Sequence, residues 1–318
     1  MPMTRSSHST PTTVASPDDT DTDFADRLSR FELGISGVRG VLVRLSASWR
    51  SIRSQGGYPA AVAALLGETT AASALFTGHS KLDGQLSIHL RGGGALRTLF
   101  AECASSGRLR AIARYQEPIP ETLGPRDFGT DSILAITIES TPPGDHEPTR
   151  YQGLVGLNAE TLALAFEDYF SQSEQLPTRI ALAADQRLAV GLMLQRLPGT
   201  DRDPDGWNRA NRLFDTITRR ELLELPSASL LHRLFHQDGA YLLDQRPLHF
   251  GCTCSQERVA AVLRQIGHDE ALAAVQTDGR AEITCEFCHR VYRFDRIDLE
   301  ALFHPTLSPS PGGTESLQ

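Results

Sequence analysis

The sequence predicts an α+β protein with two folded domains joined by a linker: a large N-terminal α/β-sheet domain over 23–198, a metastable helical linker over 199–248 and a small four-cysteine zinc-binding domain over 249–304. Three observations support this prediction. Apolar and polar residues alternate with a period of two at several places before residue 199. A breaker-rich junction then leads into amphipathic helical stretches. Finally, four of the five cysteines form two close pairs near the C-terminus.

Strands are predicted where apolar side chains recur at every second position, because successive side chains of a strand point to opposite faces. Three sets of residues follow this pattern, and each would line the buried face of a half-buried strand. They are Val41, Val43 and Leu45; Leu86, Ile88 and Leu90; and Leu134, Ile136 and Ile138. Two shorter strands are predicted around Ile180–Leu182 and Leu188–Leu194.

Two helices are predicted between these strands. The first covers the Ala/Leu-rich run from Ala60 to Ala74, with Pro59 at its first turn, where proline is tolerated. The second begins at Asn158, a good N-cap residue, and carries Glu160 near its positive end. Its apolar stripe consists of Leu162, Phe166, Tyr169 and Phe170.

The linker begins after the breaker-rich run Thr200–Gly206. Its first helix presents an apolar face formed by Trp207, Ala210, Leu213, Phe214 and Ile217. Its second helix is predicted to start with Ser227 as the cap and to bear Leu230, Leu231, Leu234 and Phe235. Short amphipathic helices are marginal alone, so these need a partner surface. They are either ordinary connecting helices or a segment that folds only conditionally.

The strongest chemical signal is the arrangement of Cys252, Cys254, Cys285 and Cys288. The spacings are C-x-C and C-x-x-C, with 30 residues between the pairs, which allows all four sulfurs to reach one tetrahedral zinc ion. The C-x-C pair also holds two thiols close enough to oxidise to each other. A module of about 55 residues has little core of its own, so its fold should depend on the ion.

Regular elements are predicted around these cysteines. A helix over Glu257–Ile266 would turn Val259, Val262, Leu263 and Ile266 inward, and a second helical segment would cover Glu270–Val275. Strands near Ala281–Thr284 and Val291–Phe294 would flank the second cysteine pair.

The leader 1–22 and the tail 305–318 are rich in Ser, Thr, Pro and other polar residues and are predicted to be disordered. The leader has no apolar segment typical of a secretion signal, and no run of about 18 apolar residues is evident, so we predict a cytoplasmic protein without a membrane span. The formal net charge of −8 argues against nucleic-acid binding.

Other chemical interpretations are weaker. Cys285–His289 matches the C-x-x-C-H haem-attachment pattern, but that interpretation leaves Cys252 and Cys254 unexplained. Gly92–Gly94 lacks the rest of a phosphate loop and predicts a turn, and Cys103 is most simply a small buried residue. No arrangement of catalytic residues is evident, so an enzyme is not predicted.

Several phrases resemble the heat shock protein 33 family of redox-regulated chaperonins. They are His249–Arg258, Cys285–Cys288, Tyr169–Thr178 and Gly191–Pro198, within a match that runs from about Phe31 to Phe303. Two positions depart from the family pattern: His289 stands where relatives often have glycine, and Arg91–Ala95 replaces a commoner Gly-acidic-Gly phrase.

The resemblance implies an ATP-independent holdase that binds unfolding client proteins under oxidative stress, with 23–198 as its chaperone domain and 249–304 as its redox switch. It implies zinc held by Cys252, Cys254, Cys285 and Cys288 in the reduced, inactive state. It also implies zinc release, the disulfides Cys252–Cys254 and Cys285–Cys288, and a homodimer in the oxidised, active state. The alternative is a zinc-ribbon module that binds nucleic acid or protein. Nine acidic residues against six arginines in 249–303 disfavour nucleic acid as its ligand.

Overall fold

The structure is a computed structural model that describes residues 12–13, 26–34, 36–80, 83–140, 149–198 and 203–303, with only the backbone described at 12–13 and 274–278. The chain divides into two compact units, Met1–Gly251 and Cys252–Gln318. The mixture of helix and sheet that the sequence predicts is confirmed. The further division of the first unit after residue 198 stays a prediction.

Strands and helices are numbered in chain order. The strands are β1 Thr12–Thr13, β2 Arg27–Leu33, β3 Val38–Leu45, β4 Gly84–Arg91, β5 Leu96–Ala104, β6 Arg108–Tyr115, β7 Ile133–Ser140, β8 Thr149–Gly156, β9 Thr178–Ala184, β10 Ala189–Arg196, β11 Ala240–Pro247, β12 His249–Phe250, β13 Ala281–Thr284 and β14 Val291–Phe294. The helices are α1 Ala47–Gly56, α2 Ala60–His79, α3 Leu162–Tyr169, α4 Gly206–Phe214, α5 Arg219–Glu224, α6 Ser227–Phe235, α7 Gln256–Ile266, α8 His268–Asp278 and α9 Arg296–Phe303.

The first unit is built on two six-stranded sheets with α2 between them. The first sheet is antiparallel with the order β1-β11-β2-β3-β10-β9, and the second has the order β12-β6-β5-β4-β7-β8, in which β12 alone runs parallel to its neighbour. Helix α2 packs on β5 and β6 of one sheet and on β3, β9 and β10 of the other. The main core therefore lies between the two inner sheet faces.

Helix α2 confirms the predicted helix and extends it to His79, with Pro59 at the N-cap position rather than in the first turn. Its length and composition would suit a membrane span, although 78% of the relevant window is buried inside the protein. Its buried hydroxyls are satisfied within the helix: Thr69 Oγ1 donates to the Leu65 carbonyl at 2.8 Å and Thr70 Oγ1 to the Leu66 carbonyl at 2.7 Å. Burial between two sheets accounts for its apolar composition.

All five predicted strands are present, as β3, β4, β7, β9 and β10. Strand β4 alternates as predicted, with Leu86, Ile88 and Leu90 buried. The expectation of a half-buried strand is wrong for β3, where Leu42 and Arg44 on the opposite face are buried as well. The physical reason is that the first sheet is covered on both faces, by α2 on one and by α4, α5 and α6 on the other.

The helices of the predicted linker form the second core of the first unit. Ala210, Phe214, Leu222, Leu231 and Phe235 belong to a buried cluster that includes residues of the first sheet. Helix α5 was not predicted, although its capping box, in which Thr218 and Glu221 cap each other, is visible as T-x-x-E. The helical prediction for 199–248 fails at its end, because Ala240–Pro247 is strand β11, paired with β2.

Two predicted caps are wrong. Helix α3 is capped by Thr161, whose hydroxyl accepts from the Leu164 amide, and not by Asn158. Ser227 is the first residue of α6, after Pro226, and Ile217 lies beyond the end of α4.

Of the leader, only Thr12–Thr13 is described, as the strand beside β11. The rest of the leader and the tail 305–318 lie outside the described residues, so their disorder stays a prediction.

Candidate metal centre

The second unit is a small fold around a two-stranded sheet of β13 and β14, with α7, α8 and α9. Its core in the described residues consists of Ala260, Leu263, Ala271, Ala281, Tyr292, Phe294 and Leu299. Both predicted helical segments are present, as α7 and α8, and both predicted strands are present, as β13 and β14. Val262 and Ile266 were predicted to face inward, which is wrong: they are 52% and 53% exposed. A core this small covers only one narrow face of α7.

Helix α9 was not predicted. Its start carries a sequence cue, however, because Asp295 and Asp298 cap each other: the Asp298 amide donates to Asp295 Oδ1 at 2.8 Å and the Asp295 amide to Asp298 Oδ2 at 3.0 Å. Leu299 of this helix is fully buried. The cue is a pair of acidic residues three positions apart, just before an apolar run.

Local structure brings the four cysteines to one place. Cys252 and Cys254 lie on the segment that ends at Ser255, whose hydroxyl caps α7 by accepting from the Arg258 amide. Cys285 and Cys288 lie in the tight turn that joins β13 to β14. The turn is closed by backbone hydrogen bonds from the His289 amide to the Cys285 carbonyl and from the Cys285 amide to the Arg290 carbonyl.

The geometry of the four sulfurs fits one tetrahedral metal ion. All four Sγ atoms lie within 4.8 Å of one another, and all four side chains are half-buried. The sulfurs are 3.5 Å apart in Cys252 and Cys285 and 3.3 Å apart in Cys254 and Cys288. Zinc–sulfur bonds of about 2.3 Å in a tetrahedron separate the sulfurs by roughly 3.8 Å, which matches this cluster. The structure thus places the predicted ligand atoms together, as a four-sulfur donor set.

The electrostatics of the cluster also favour a cation. Burial would raise the pKa of the Cys254 thiol, but interactions with the Tyr292 hydroxyl and the neighbouring thiols lower it to about 7. Burial raises the pKa of Cys252, and burial and the neighbouring thiols raise that of Cys288 to about 12. Four thiolates this close repel one another, so full ionisation of the cluster requires a positive charge among them.

The other residues singled out from the sequence lie outside the cluster. Cys103 is on β5 of the first unit and is fully buried, and burial raises the pKa of its thiol to about 12. Gly92–Gly94 forms the predicted turn between β4 and β5, where the Gly94 amide donates to the Phe128 carbonyl at 2.7 Å. A side chain at Gly92 would collide with the Phe128 backbone, which explains the glycine there.

His289 has a backbone role in the turn of the second cysteine pair. It is exposed, it is not among the four metal-ligand candidates, and its φ of 52° lies in the left-handed region. Residues other than glycine adopt that region at a cost of roughly 1 kcal/mol. The departure from glycine at this position therefore strains the turn without changing the donor set.

Substituting His289→Gly should stabilise the second unit by about 0.5–1 kcal/mol, because glycine accepts the left-handed conformation without strain. The measurement is the midpoint of unfolding of the metal-loaded protein, followed by a probe in the second unit. His268→Gly is the matched control, since it also removes an imidazole but at the first position of α8, and it should destabilise. An equal or lower midpoint for His289→Gly would contradict the strain assigned here.

Comparison with known proteins gives a consistent picture. A family model described as Hsp33 protein matches residues 26–295. The 33 kDa chaperonin of Nitrosococcus oceani is 39% identical over 278 residues, covering 87% of this chain and 94% of that protein. The 33 kDa chaperonin of Ectopseudomonas mendocina is 40% identical over 296 residues, covering 91% of this chain and 99% of that protein.

A solved structure supports the fold. The 33 kDa chaperonin (heat shock protein 33 homolog) of Thermotoga maritima superposes with a TM-score of 0.76, covering 87% of this chain and 97% of that one. Its sequence is only 19% identical, so the likeness is one of fold. The sequence comparisons extend over both units of this chain.

Proposed function

The chain belongs to the Hsp33 family of chaperones, and on this premise we propose that it is a redox-regulated, ATP-independent holdase that binds unfolding proteins under oxidative stress. The observation that carries the proposal is the cluster of four cysteine sulfurs within 4.8 Å of one another. The proposal assigns no catalytic residue, and it assigns the protein to the cytoplasm, where thiols are kept reduced.

Zinc is the metal that best suits the site, with Cys252, Cys254, Cys285 and Cys288 as its ligands. When bound, it would keep the four thiolates ionised and link the segment before α7 to the turn between β13 and β14. Zinc has no redox chemistry of its own. The chain between the pairs is 30 residues long, and a cross-link that closes a loop of this length contributes about 3–4 kcal/mol.

Oxidation would remove this cross-link. Each pair of thiolates gives up two electrons to one molecule of hydrogen peroxide, which takes two protons from solvent and becomes two molecules of water as one disulfide forms. Disulfides Cys252–Cys254 and Cys285–Cys288 close only very short loops. Sulfurs of opposite pairs lie as close as 3.3 Å, so this pairing rests on family membership and on the loop argument rather than on proximity.

Loss of the second unit would free the segment from Gly199 to Phe250. Strands β11 and β12 directly precede Cys252 in the chain, and the linker helices precede β11. Their release would expose the apolar face of the first sheet that includes Phe31, Leu42 and Leu192. Large exposed apolar surfaces bind other unfolded chains, and we propose that the same exposure drives formation of an oxidised homodimer.

Treatment with hydrogen peroxide at raised temperature should release one zinc per chain, form disulfides Cys252–Cys254 and Cys285–Cys288 and switch on suppression of client aggregation. Mass mapping of disulfides, a zinc indicator and light scattering of a heat-labile client measure the three outcomes on one sample. Cys103 is the internal control, because its buried thiol should stay reduced. Zinc that stays bound, or that leaves without any gain in suppression, would refute the switch.

The runner-up function is a zinc-ribbon module that binds nucleic acid or protein. The β13–β14 turn with its C-x-x-C pair favours a ribbon-like site. The acidic surplus of residues 249–303 opposes phosphate binding. A salt-dependent gel shift by the isolated reduced protein would favour the runner-up.

A further inference from the structure

Two histidines lie one helical turn apart on the solvent side of the end of α6. They are His232 and His236, the only two of the ten histidines that stand four positions apart in the sequence. Both side chains are exposed, because the opposite side of the helix buries three leucines and Phe235 against the first sheet. Residues four apart share one helix face, and a histidine pair with this spacing is a recurring arrangement of zinc ligands.

The two imidazole rings are placed to share one metal ion. The ring centroids of His232 and His236 are 5.4 Å apart. Two imidazoles on one tetrahedral zinc ion have centroids about 5.2 Å apart, since each ligating nitrogen lies about 2.1 Å from the metal and about 1.1 Å from its own ring centroid. The rings therefore already have the separation that a shared ion requires.

A hydrogen bond leaves one nitrogen of His236 ready to bind a metal. Its Nδ1 lies 3.1 Å from the backbone carbonyl oxygen of His232. A carbonyl oxygen only accepts, so Nδ1 carries the hydrogen and Nε2 carries the lone pair of the neutral ring. Histidines that bind metals usually donate their other ring N–H to a carbonyl or a carboxylate, which fixes the orientation of the ring. His236 has this arrangement.

The end of α6 is also suited to a cation by its electrostatics. The helix ends at Phe235, and the carbonyls of its last turn form the negative end of the helix dipole. One cationic side chain, that of Arg233, lies between the two histidines in the sequence. Its Nε is 2.7 Å from Glu221 Oε1, so its charge is compensated by an ion pair.

We propose that His232 and His236 form a second zinc site, which holds the last turn of α6 in its helical conformation. Two imidazoles without a thiolate bind zinc more weakly than the cysteine cluster does, and water fills the two remaining positions of the tetrahedral ion. An ion that binds only the helical form stabilises it by mass action. Zinc at about ten times its dissociation constant lowers the population of the unfolded turn about tenfold.

The turn that the ion holds also carries a contact with the first sheet. Phe235 stacks on Phe31 of β2, with 6.3 Å between the ring centroids. The consequence of the site rests on the proposed chaperone function, in which release of the linker helices exposes the client surface. Excess zinc would keep Phe235 on the sheet and so oppose activation, independently of the ion in the cysteine cluster.

The test uses the full-length, reduced protein with one zinc ion on the cysteine cluster. Zinc chloride is the probe, because the cluster is then already occupied by the same ion. Isothermal titration calorimetry should detect a second zinc equivalent in the wild type, with an affinity at least tenfold lower in His232→Gln. His249→Gln is the matched control, since it removes an exposed imidazole from β12, and it should bind within twofold of the wild type.

A variant of unchanged composition tests the spacing. His236→Gln with Gln237→His keeps the number of histidines but places them five positions apart, so the second equivalent should be lost. Zinc at about ten times the measured dissociation constant should slow hydrogen exchange of the α6 amides about tenfold in the wild type and not in His232→Gln.

Three results would each overturn the inference. They are the lack of a second zinc equivalent at millimolar zinc, undiminished binding in His232→Gln, and unchanged exchange of the α6 amides when the second site is filled. These measurements use neither an oxidant nor a client protein. Their failure is therefore distinct from failure of the redox switch, which only the oxidised protein reports.

Discussion

Removal of the metal from the reduced protein should unfold residues 252–303 and leave strands β2 to β10 of the first unit folded. The second unit has a buried core of seven residues among those described, three of them alanine, which is too small to hold about 50 residues without a cross-link. Structural zinc contributes roughly 10–16 kcal/mol of apparent binding free energy in small domains. The main core between the two sheets contains no described residue of 252–303 and needs no metal.

Hydrogen exchange followed by mass spectrometry tests this prediction directly, because it measures the protection of individual backbone amides. After chelation, amides of α7, β13 and β14 should exchange as in an unfolded chain, while those of α2 and β3 to β6 keep their protection. The variant Cys285→Ser should reproduce the effect without a chelator, and Cys103→Ser, which changes a cysteine outside the cluster, should not. Protection of the β13 and β14 amides that survives chelation would show that the unit folds without its metal.

Much of the fold was predictable because the sequence patterns report on local structure. The alternation at Leu86, Ile88 and Leu90 predicts one buried strand face, and that face is buried in the structure. The cysteine spacing predicts a single four-sulfur site, and the four sulfurs lie together. The prediction for β3 failed because alternation cannot reveal that a second layer covers the other face. The prediction that Val262 and Ile266 face inward was wrong for the opposite reason. An apolar stripe on a helix does not show how much of it the rest of the protein covers.

The segment 199–248 was the least predictable from its sequence. Its helices have clear apolar faces, but β11 begins with four consecutive apolar residues, Ala240–Leu243, which show no alternation, and continues with a polar run that ends in Pro247. It becomes a strand because it pairs with the edge of β2. This pairing is a tertiary interaction, which the local sequence does not predict. Strand β11 also has an irregular register between Leu242 and Asp244. Strand β11 is therefore stabilised by pairing with its neighbours more than by its own β-propensity.

One side chain of the first sheet holds the linker helices in place. Arg44 of β3 is 4% exposed, and its guanidinium donates to three carbonyls at the end of α5: Nη1 to Leu222 at 3.1 Å and to Leu225 at 2.8 Å, and Nη2 to Leu223 at 3.0 Å. These carbonyls lie at the negative end of the helix, where no following helical turn supplies amides to donate to them. A buried cation thus joins the sheet to the segment whose release we propose as the active state.

The variant Arg44→Met should weaken docking of residues 206–235 by about 3–5 kcal/mol, because it leaves several buried carbonyls without donors. Hydrogen exchange should show faster exchange in α4, α5 and α6 of the reduced, metal-loaded variant, while α7 and the cysteine cluster stay protected. If release of these helices exposes the client surface, the same variant should suppress client aggregation without an oxidant.

Two controls separate this role from a general loss of stability. Arg53→Met removes an arginine that donates to one carbonyl, that of Gln186, at the surface, and it should cost less than 1 kcal/mol and leave the helices protected. Arg44→Lys keeps the charge but lacks the planar fork needed to reach several carbonyls, so its exchange rates should fall between wild type and Arg44→Met. Wild-type protection of 206–235 in Arg44→Met would mean that apolar packing alone holds these helices. The trigger for release would then have to act on the Phe214 and Phe235 contacts instead.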